Sequence, residues 1–349
     1  MTVAAAGPVV ALRYADGTLW AIDQTRLPWQ EVELKLRCAD DVVGAIRSLS
    51  IRGAPLIGVA AAYGVALELA RDPGALDRAC AALTGARPTA VNLAHAVDRV
   101  RAAVLTAGAA GTAAAAGVAL AEARALHAEE EAAGDAIARY GADLLSDRRR
   151  ILTHCNTGAL AAPGRGTALA VIAELADRGQ LDLVLAAESR PLLQGARLTV
   201  YELRRLGIEH ALVVDGAAAG LIAAGEVDAV IVGCDRVAAN GDVANKVGTY
   251  AHALAAGAAG IPFVVAGPCT TVDPACPSGA EIAVEQRDAH EVRGVGLWRD
   301  EPLALTLADT PCRNPAFDVT PAALVTALVT ERGVAAPPSR ETVSALLGG

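Results

Sequence analysis

Hydrophobic and polar positions change rhythm along the chain, and the changes mark its elements. Over residues 9–22 apolar and polar side chains roughly alternate, which predicts a short β element with one buried face. Residues 42–46, 55–70, 93–104 and 123–145 then carry helical spacing or Ala-rich helical composition. The stretch 102–121 has no formal charge over twenty residues, enough to cross a bilayer by count alone. It is nearly all Ala, Gly and Thr, with Val104, Leu105, Val118 and Leu120 as its strongly apolar residues and three glycines, so it reads as Ala-rich helix broken by a loop. The first domain, residues 1–145, is expected to be mainly helical with a small sheet.

From Arg148 the texture turns to short apolar runs, each ending in polar or Gly residues and followed by a helical segment: ILTHC, DLVLAAES, ALVVD, AVIVGCD and PFVVAGP. Strand and helix in alternation imply right-handed crossovers and a doubly wound parallel sheet over residues 146–349, giving an α/β fold class. In such a sheet the loops leaving the carboxyl ends of the strands share one edge with helix N-termini. Cys155, residues 188–190, Asp215, Asp235 and residues 268–270 should therefore collect on one rim.

Composition narrows the partners. The chain of 349 residues is 53% hydrophobic and 20% charged, and its 30 basic against 39 acidic residues give a net charge of −9 with no basic block. That disfavours nucleic acid and an anionic membrane surface and favours a small molecule. With three Trp, five Tyr and two Phe, the core must rest on Leu, Val, Ile and closely packed Ala. Seven cysteines, an odd number without a CxxC pair, argue against a disulfide framework and a zinc site. The opening MTVAAAGPVVALRY lacks the layout of a cleavable signal, so a cytoplasmic location is expected.

Three segments could carry chemistry. In THCNTGALA, Cys155 ends an apolar run and precedes Asn156, Thr157 and Gly158 at an expected strand-to-helix turn, where helix amides would stabilise its thiolate. His154 should point to the opposite side of the strand and act structurally. In VIVGCDRVAANGDVANKVGTY, Asp235 closes an apolar run, which suits a desolvated acid and equally a helix cap or a partner for Arg236. Asn245 and Lys246 there should open a helix beginning near Val247 and meet an anion. In SIRGAPLIGVAAAYG, Arg52 and Gly53 before Pro55 form a plausible phosphate cradle, to which Arg87 of ARPTAVNL could add a second guanidinium. GRGTAL has Leu where a dinucleotide fingerprint needs its third Gly, and there is no GxxxxGK[ST].

Taken together, IRGAPLIGVAAAYG, RPTAVNL, ILTHCNTGALA, ESRPLLQGARLTVYEL, GCDRVAANGDVANKVGTY and NPAFDVTP resemble, in order, the motifs of the methylthioribose-1-phosphate isomerase family. The resemblance implies a helical N-terminal domain, a Rossmann-like C-terminal domain and a homodimer. It implies conversion of 5-methylthioribose 1-phosphate to 5-methylthioribulose 1-phosphate in methionine salvage, without metal or cofactor. Cys155 and Asp235 would be catalytic, and Arg52, Gly53, Ala54, Arg87, Gln194, Asn245 and Lys246 would contact the sugar phosphate. Ala94, His95, Cys234 and residues 216–219 depart from the family's usual residues, which opens the choice of group at C5. The rival readings are an isomerase of 5-deoxyribose 1-phosphate or ribose 1,5-bisphosphate, and a non-catalytic subunit like those of initiation factor 2B.

Overall fold

The computed structural model describes residues 7–88, 90–108, 112–296 and 303–348. Thr89 of the RPTAVNL motif and residues 109–111 of the Ala-rich tract lie outside the described residues. The chain forms two compact units: Val10–Ala132 with Ala159–Gly164, and Met1–Val9 with Ala133–Gly158 and Arg165–Gly349.

The first unit opens with an antiparallel sheet of β1 (Leu12–Ala15), β2 (Thr18–Ile22) and β3 (Glu33–Leu36). Its β1–β2 hairpin turns on Asp16 and Gly17, both at positive φ, the backbone that matches the twist of paired strands. The helices are α1 (Ala39–Arg47), α2 (Ala54–Arg71), α3 (Leu76–Thr84), α4 (Val91–Thr106) and α5 (Thr112–Leu144), the last ending in the other unit. The long apolar run thus becomes the end of one helix and the start of another. By length and hydropathy α2 could cross a membrane, but it is the core helix of this unit, buried on nearly every side. Its small residues let neighbours close in: a Cβ on Gly58 would sit 2.9 Å from the Asn92 carbonyl oxygen of α4.

The second unit contains β4 (Arg150–His154), β5 (Leu183–Ala187), β6 (His210–Val213), β7 (Ala229–Val232), β8 (Arg236–Ala238), β9 (Val243–Lys246), β10 (Phe263–Ala266), β11 (Val272–Asp273), β12 (Gly294–Val295), β13 (Leu303–Ala304), β14 (Phe317–Thr320), β15 (Ala327–Thr330) and β16 (Gly333–Ala335). Seven of them form a sheet in the order β16-β15-β10-β7-β4-β5-β6, parallel except for edge strand β16. The chain starts at β4, winds outward through β5 and β6, and returns to β7 on the other side of β4. The topological switch point therefore lies between β4 and β7.

Alternate residues of each strand feed opposite cores. Leu152, Val230, Val232 and Val265 pack with Ile222 of α8 (Ala218–Ala223) and Ala253 of α9 (Thr249–Ala259). Ile151, Ile231 and Val264 pack with Val171 and Ile172 of α6 (Ala168–Asp177), Leu203 of α7 (Val200–Arg205) and Ile137 of α5. A strand enclosed on both faces needs continuous apolar residues, which is why these runs stood out in the sequence. A second sheet, β11-β8-β9-β14, follows from the segment just after β7.

Candidate active site

Strands β4 and β7 are hydrogen-bonded neighbours, with His154 opposite Val232. Cys155 is the first residue past the end of β4, and Asp235 lies three past the end of β7, so thiol and carboxylate leave adjacent strands on the same edge at the switch point. Both residues are half-buried. The loops carrying them touch, since a Cβ on Gly233 would lie 2.6 Å from Thr157 Cγ2.

Cys155 does not run straight into a helix as the sequence suggested. Helix α6 begins only at Ala168, and residues 159–164 of the connection belong to the helical unit. The loop returns through Gly166, at φ +86 against the Thr157 and Gly158 backbone, where Thr167 N–H donates to the Thr157 carbonyl at 2.8 Å. Cys155 itself has φ +66. Its N–H donates to Ser189 Oγ at 2.7 Å, and its carbonyl accepts from Thr199 Oγ1 at 2.6 Å.

His154 is fully buried and turned away from solvent chemistry, as alternation along the strand predicts. Its Nε2 donates to the Val247 carbonyl at 2.9 Å, which leaves Nδ1 as an acceptor 3.3 Å from Ser189 Oγ. Burial lowers its pKa to about 4, with the Val247 carbonyl opposing and Lys246 reinforcing the shift. The Asp215 carboxylate 3.7 Å from Nδ1 therefore faces a neutral imidazole at pH 7. Asp215 instead accepts from the Ser189 and Arg190 N–H groups at 2.9 and 2.7 Å. His252, edge-on to His154 at 4.8 Å, is pushed down to about 3, chiefly by burial.

Asp235 sits between strands, and its N–H donates to the Ala244 carbonyl at 2.9 Å. It precedes β8 rather than a helix, which removes the helix-cap reading, and Arg236 lies 3.7 Å from Asp273 in an ion pair. Burial pushes the neighbouring Cys234 thiol up to about 12, against a hydrogen bond from Thr271, so Cys234 stays a thiol beside Asp235 at neutral pH.

Asn245 and Lys246 are the last two residues of β9 rather than the start of a helix. They pair in register with Asp318 and Phe317 of β14, and α9 starts at Thr249 after Gly248 at φ +107. Asp318 occupies that helix end, accepting from Gly248 N–H at 2.7 Å and Tyr250 N–H at 3.1 Å. Asn245 Nδ2 donates to Thr249 Oγ1 and Lys246 Nζ to the Ala316 carbonyl, both at 2.9 Å. Gln194 precedes a π-helical turn, Gly195–Thr199, and its buried Oε1 has no hydrogen-bond partner among the described residues. Such turns interrupt regular helix at functional sites.

Arg52, Gly53, Ala54 and Arg87 belong to the helical unit. Gly53 caps α2 at φ +95, and a Cβ there would lie 2.3 Å from the Ala161 carbonyl oxygen. The backbone that approaches this glycine is the chain's own, and Leu56 N–H donates to that same carbonyl at 3.1 Å. Arg52 is buried and Arg87 half-buried. Among the described residues no group of three or more His, Cys, Asp or Glu side chains could hold a metal ion. Ser189 and Thr199 grip Cys155; the first was expected on the same rim, and the second carried no signal in the sequence.

A doubly wound sheet with a thiol and a carboxylate flanking its switch point has the layout of an enzyme acting on a small molecule. The chain belongs to the initiation factor 2 subunit family, whose model matches residues 50–337. A methylthioribose-1-phosphate isomerase of Anaeromyxobacter sp. is 52% identical to it over 319 residues, 91% of this chain and 90% of that protein. A 5-deoxyribose 1-phosphate isomerase of Moorella thermoacetica is 46% identical over 98% of each chain. The solved structure of 5-methylthioribose 1-phosphate isomerase from Pyrococcus horikoshii OT3 superposes with a TM-score of 0.90 at 36% identity, covering 98% of this chain and 97% of that one.

Proposed function

We propose that this chain converts 5-methylthioribose 1-phosphate to 5-methylthioribulose 1-phosphate. The observation that carries the reading is the departure of Cys155 and Asp235 from neighbouring strands at one switch point. Because the C1 oxygen is esterified, the ring cannot open to a free aldehyde. Asp235 donates a proton to the ring oxygen as its bond to C1 breaks, leaving a cationic C1 stabilised by the phosphate ester oxygen. Hydrogen then moves from C2 to C1. In one route the C2 hydrogen migrates with its electron pair, and the C2 hydroxyl gives up its proton to the Asp235 carboxylate as the ketone forms. In the other, Cys155 as thiolate removes the C2 proton to give an enol and returns a proton to C1, and the enol hydroxyl proton regenerates the acid.

Arg52, Gly53, Ala54, Arg87, Gln194, Asn245 and Lys246 are the proposed substrate contacts, with the cationic groups supplying phosphate binding energy. The seven free cysteines support a reducing, cytoplasmic setting. A homodimer is the proposed working form, supported by exposed Leu212 and Val214 around edge strand β6 and exposed Tyr250 and Leu254 on α9.

The Moorella relative supports 5-deoxyribose 1-phosphate as a second substrate. Turnover of purified protein on 5-methylthioribose 1-phosphate, 5-deoxyribose 1-phosphate and ribose 1,5-bisphosphate, with EDTA present, tests the assignment. Fastest turnover is expected on the first. Preference for the bisphosphate would replace the substrate, and no turnover on any of the three would favour a regulatory subunit.

A further inference from the structure

Among the described residues five that are not glycine hold positive φ, and three of them, Cys155, Ser189 and Leu193, lie in the loops after β4 and β5. A side chain in this left-handed region costs energy that persists only where the surroundings enforce it. At Cys155 the enforcement is visible. Its N–H is held by the hydroxyl of Ser189 and its carbonyl by the hydroxyl of Thr199, at 2.7 and 2.6 Å. Both hydroxyl residues are buried, at 0% and 1% exposure, so water cannot substitute for them.

Each hydroxyl is itself anchored. Ser189 N–H donates to Asp215 Oδ1 at 2.9 Å. Thr199 Oγ1 accepts from Asn156 Nδ2 at 3.3 Å, and Asn156 Nδ2 also donates to Glu202 Oε1 at 2.6 Å. Glycine would take φ +66 without strain, whereas here a thiol-bearing residue is kept and two separate segments grip its main chain. The Thr199 segment is the π-helical turn that Gln194 precedes. Gly195 packs that turn so tightly on β5 that a Cβ would fall 1.7 Å from the Ala187 carbonyl oxygen.

We propose that Ser189 and Thr199 are positioning residues: their hydroxyls hold the Cys155 main chain in the left-handed conformation on which the placement of its thiol depends. The catalytic consequence rests on the isomerase reading, whereas the effect on the thiol does not.

The test uses the full chain carrying Thr199→Val, which removes the hydroxyl at nearly constant volume, Thr199→Ser, which keeps it, and Ser189→Ala. Three quantities are read: kcat and KM on 5-methylthioribose 1-phosphate, the pH profile of Cys155 alkylation by iodoacetamide followed by peptide mass, and the melting temperature. Thr199→Val should lower kcat roughly tenfold or more with KM within about twofold, and should move the alkylation profile. Thr199→Ser should restore both, and Ser189→Ala should act in the same direction as the valine variant. A folded Thr199→Val protein with the wild-type kcat and alkylation profile overturns the proposal, as does a loss that serine fails to restore. If the valine variant does not fold, Ser189→Ala decides by the same criteria. If the wild type turns over no sugar phosphate, the isomerase reading falls, and the alkylation profiles still decide whether the hydroxyls hold the thiol.

Discussion

The two ends of β4 are built in opposite ways. At its amino end Arg149 forms a two-pronged pair with Asp182, at 2.7 and 2.6 Å, and Arg150 another with Asp228. These are ordinary surface ion pairs on relaxed backbone, and the guanidinium partners hold both aspartates below the usual carboxylate range. At its carboxyl end stand a neutral buried imidazole, a left-handed cysteine and buried hydroxyls bonded to main chain. Five residues apart, one strand has an end that solvent can repair and an end where buried hydroxyls hold the main chain. The difference separates a solvated surface from the built setting of the proposed catalytic thiol.

The sharpest way to break that contrast is to remove the proposed catalytic groups. Cys155→Ser and Asp235→Asn should each cost at least about a hundredfold in turnover while the circular dichroism spectrum stays unchanged. A wild-type rate in either would remove that residue from the mechanism.

Acid should act on the carboxyl end first. His154 and His252 have native pKa values depressed below the unfolded value, to about 4 and about 3. Their stabilising effect is complete above pH 6.5 and is lost as pH falls, because the unfolded chain takes up protons that the native chain excludes. Stability should fall as pH drops from roughly 6 towards 4, where the unfolded chain protonates at both positions and the native chain resists. Urea midpoints measured at pH 7 and pH 5 should therefore converge in a His252→Gln variant relative to wild type, and an unchanged gap would refute the assignment.

Two smaller effects refine the comparison. Cys155→Gly should be more stable than Cys155→Ala by about 1 kcal/mol, since only glycine takes the left-handed backbone freely; equal chemical-denaturation midpoints would mean that position 155 is unstrained. At the other end of β4, Arg149→Gln should shift the melting temperature by no more than about 3 °C, a shift that shrinks further in high salt. A larger, salt-insensitive loss would show that the amino end, too, is a built site.

Much of this architecture was legible in the sequence because it depends on local pattern. The runs ILTHC, DLVLAAES, AVIVGCD and PFVVAGP became β4, β5, β7 and β10, since strands buried on both faces must be continuously apolar, and ALVVD became edge strand β6, which leaves Leu212 exposed. The rim position of Cys155 and Asp235 followed from the winding alone. What stayed hidden depends on partners distant in sequence. Asn245 and Lys246 lie in a strand because residues 317 and 318 pair with them. Gly53 is needed because Ala161 approaches it, and Thr199 matters because a carbonyl 44 residues earlier requires its hydroxyl. No periodicity in a local window reports such pairings.

The β4–β7 ladder has a consequence for heat. The thiol and the acid lie eighty residues apart along the chain, yet the strands they follow are joined by a seam of main-chain bonds in the middle of the sheet. Warming that agitates the periphery leaves those strands joined until the seam itself gives way. Thermal inactivation should then track cooperative melting of the whole unit, with no temperature range in which a folded but silent form accumulates.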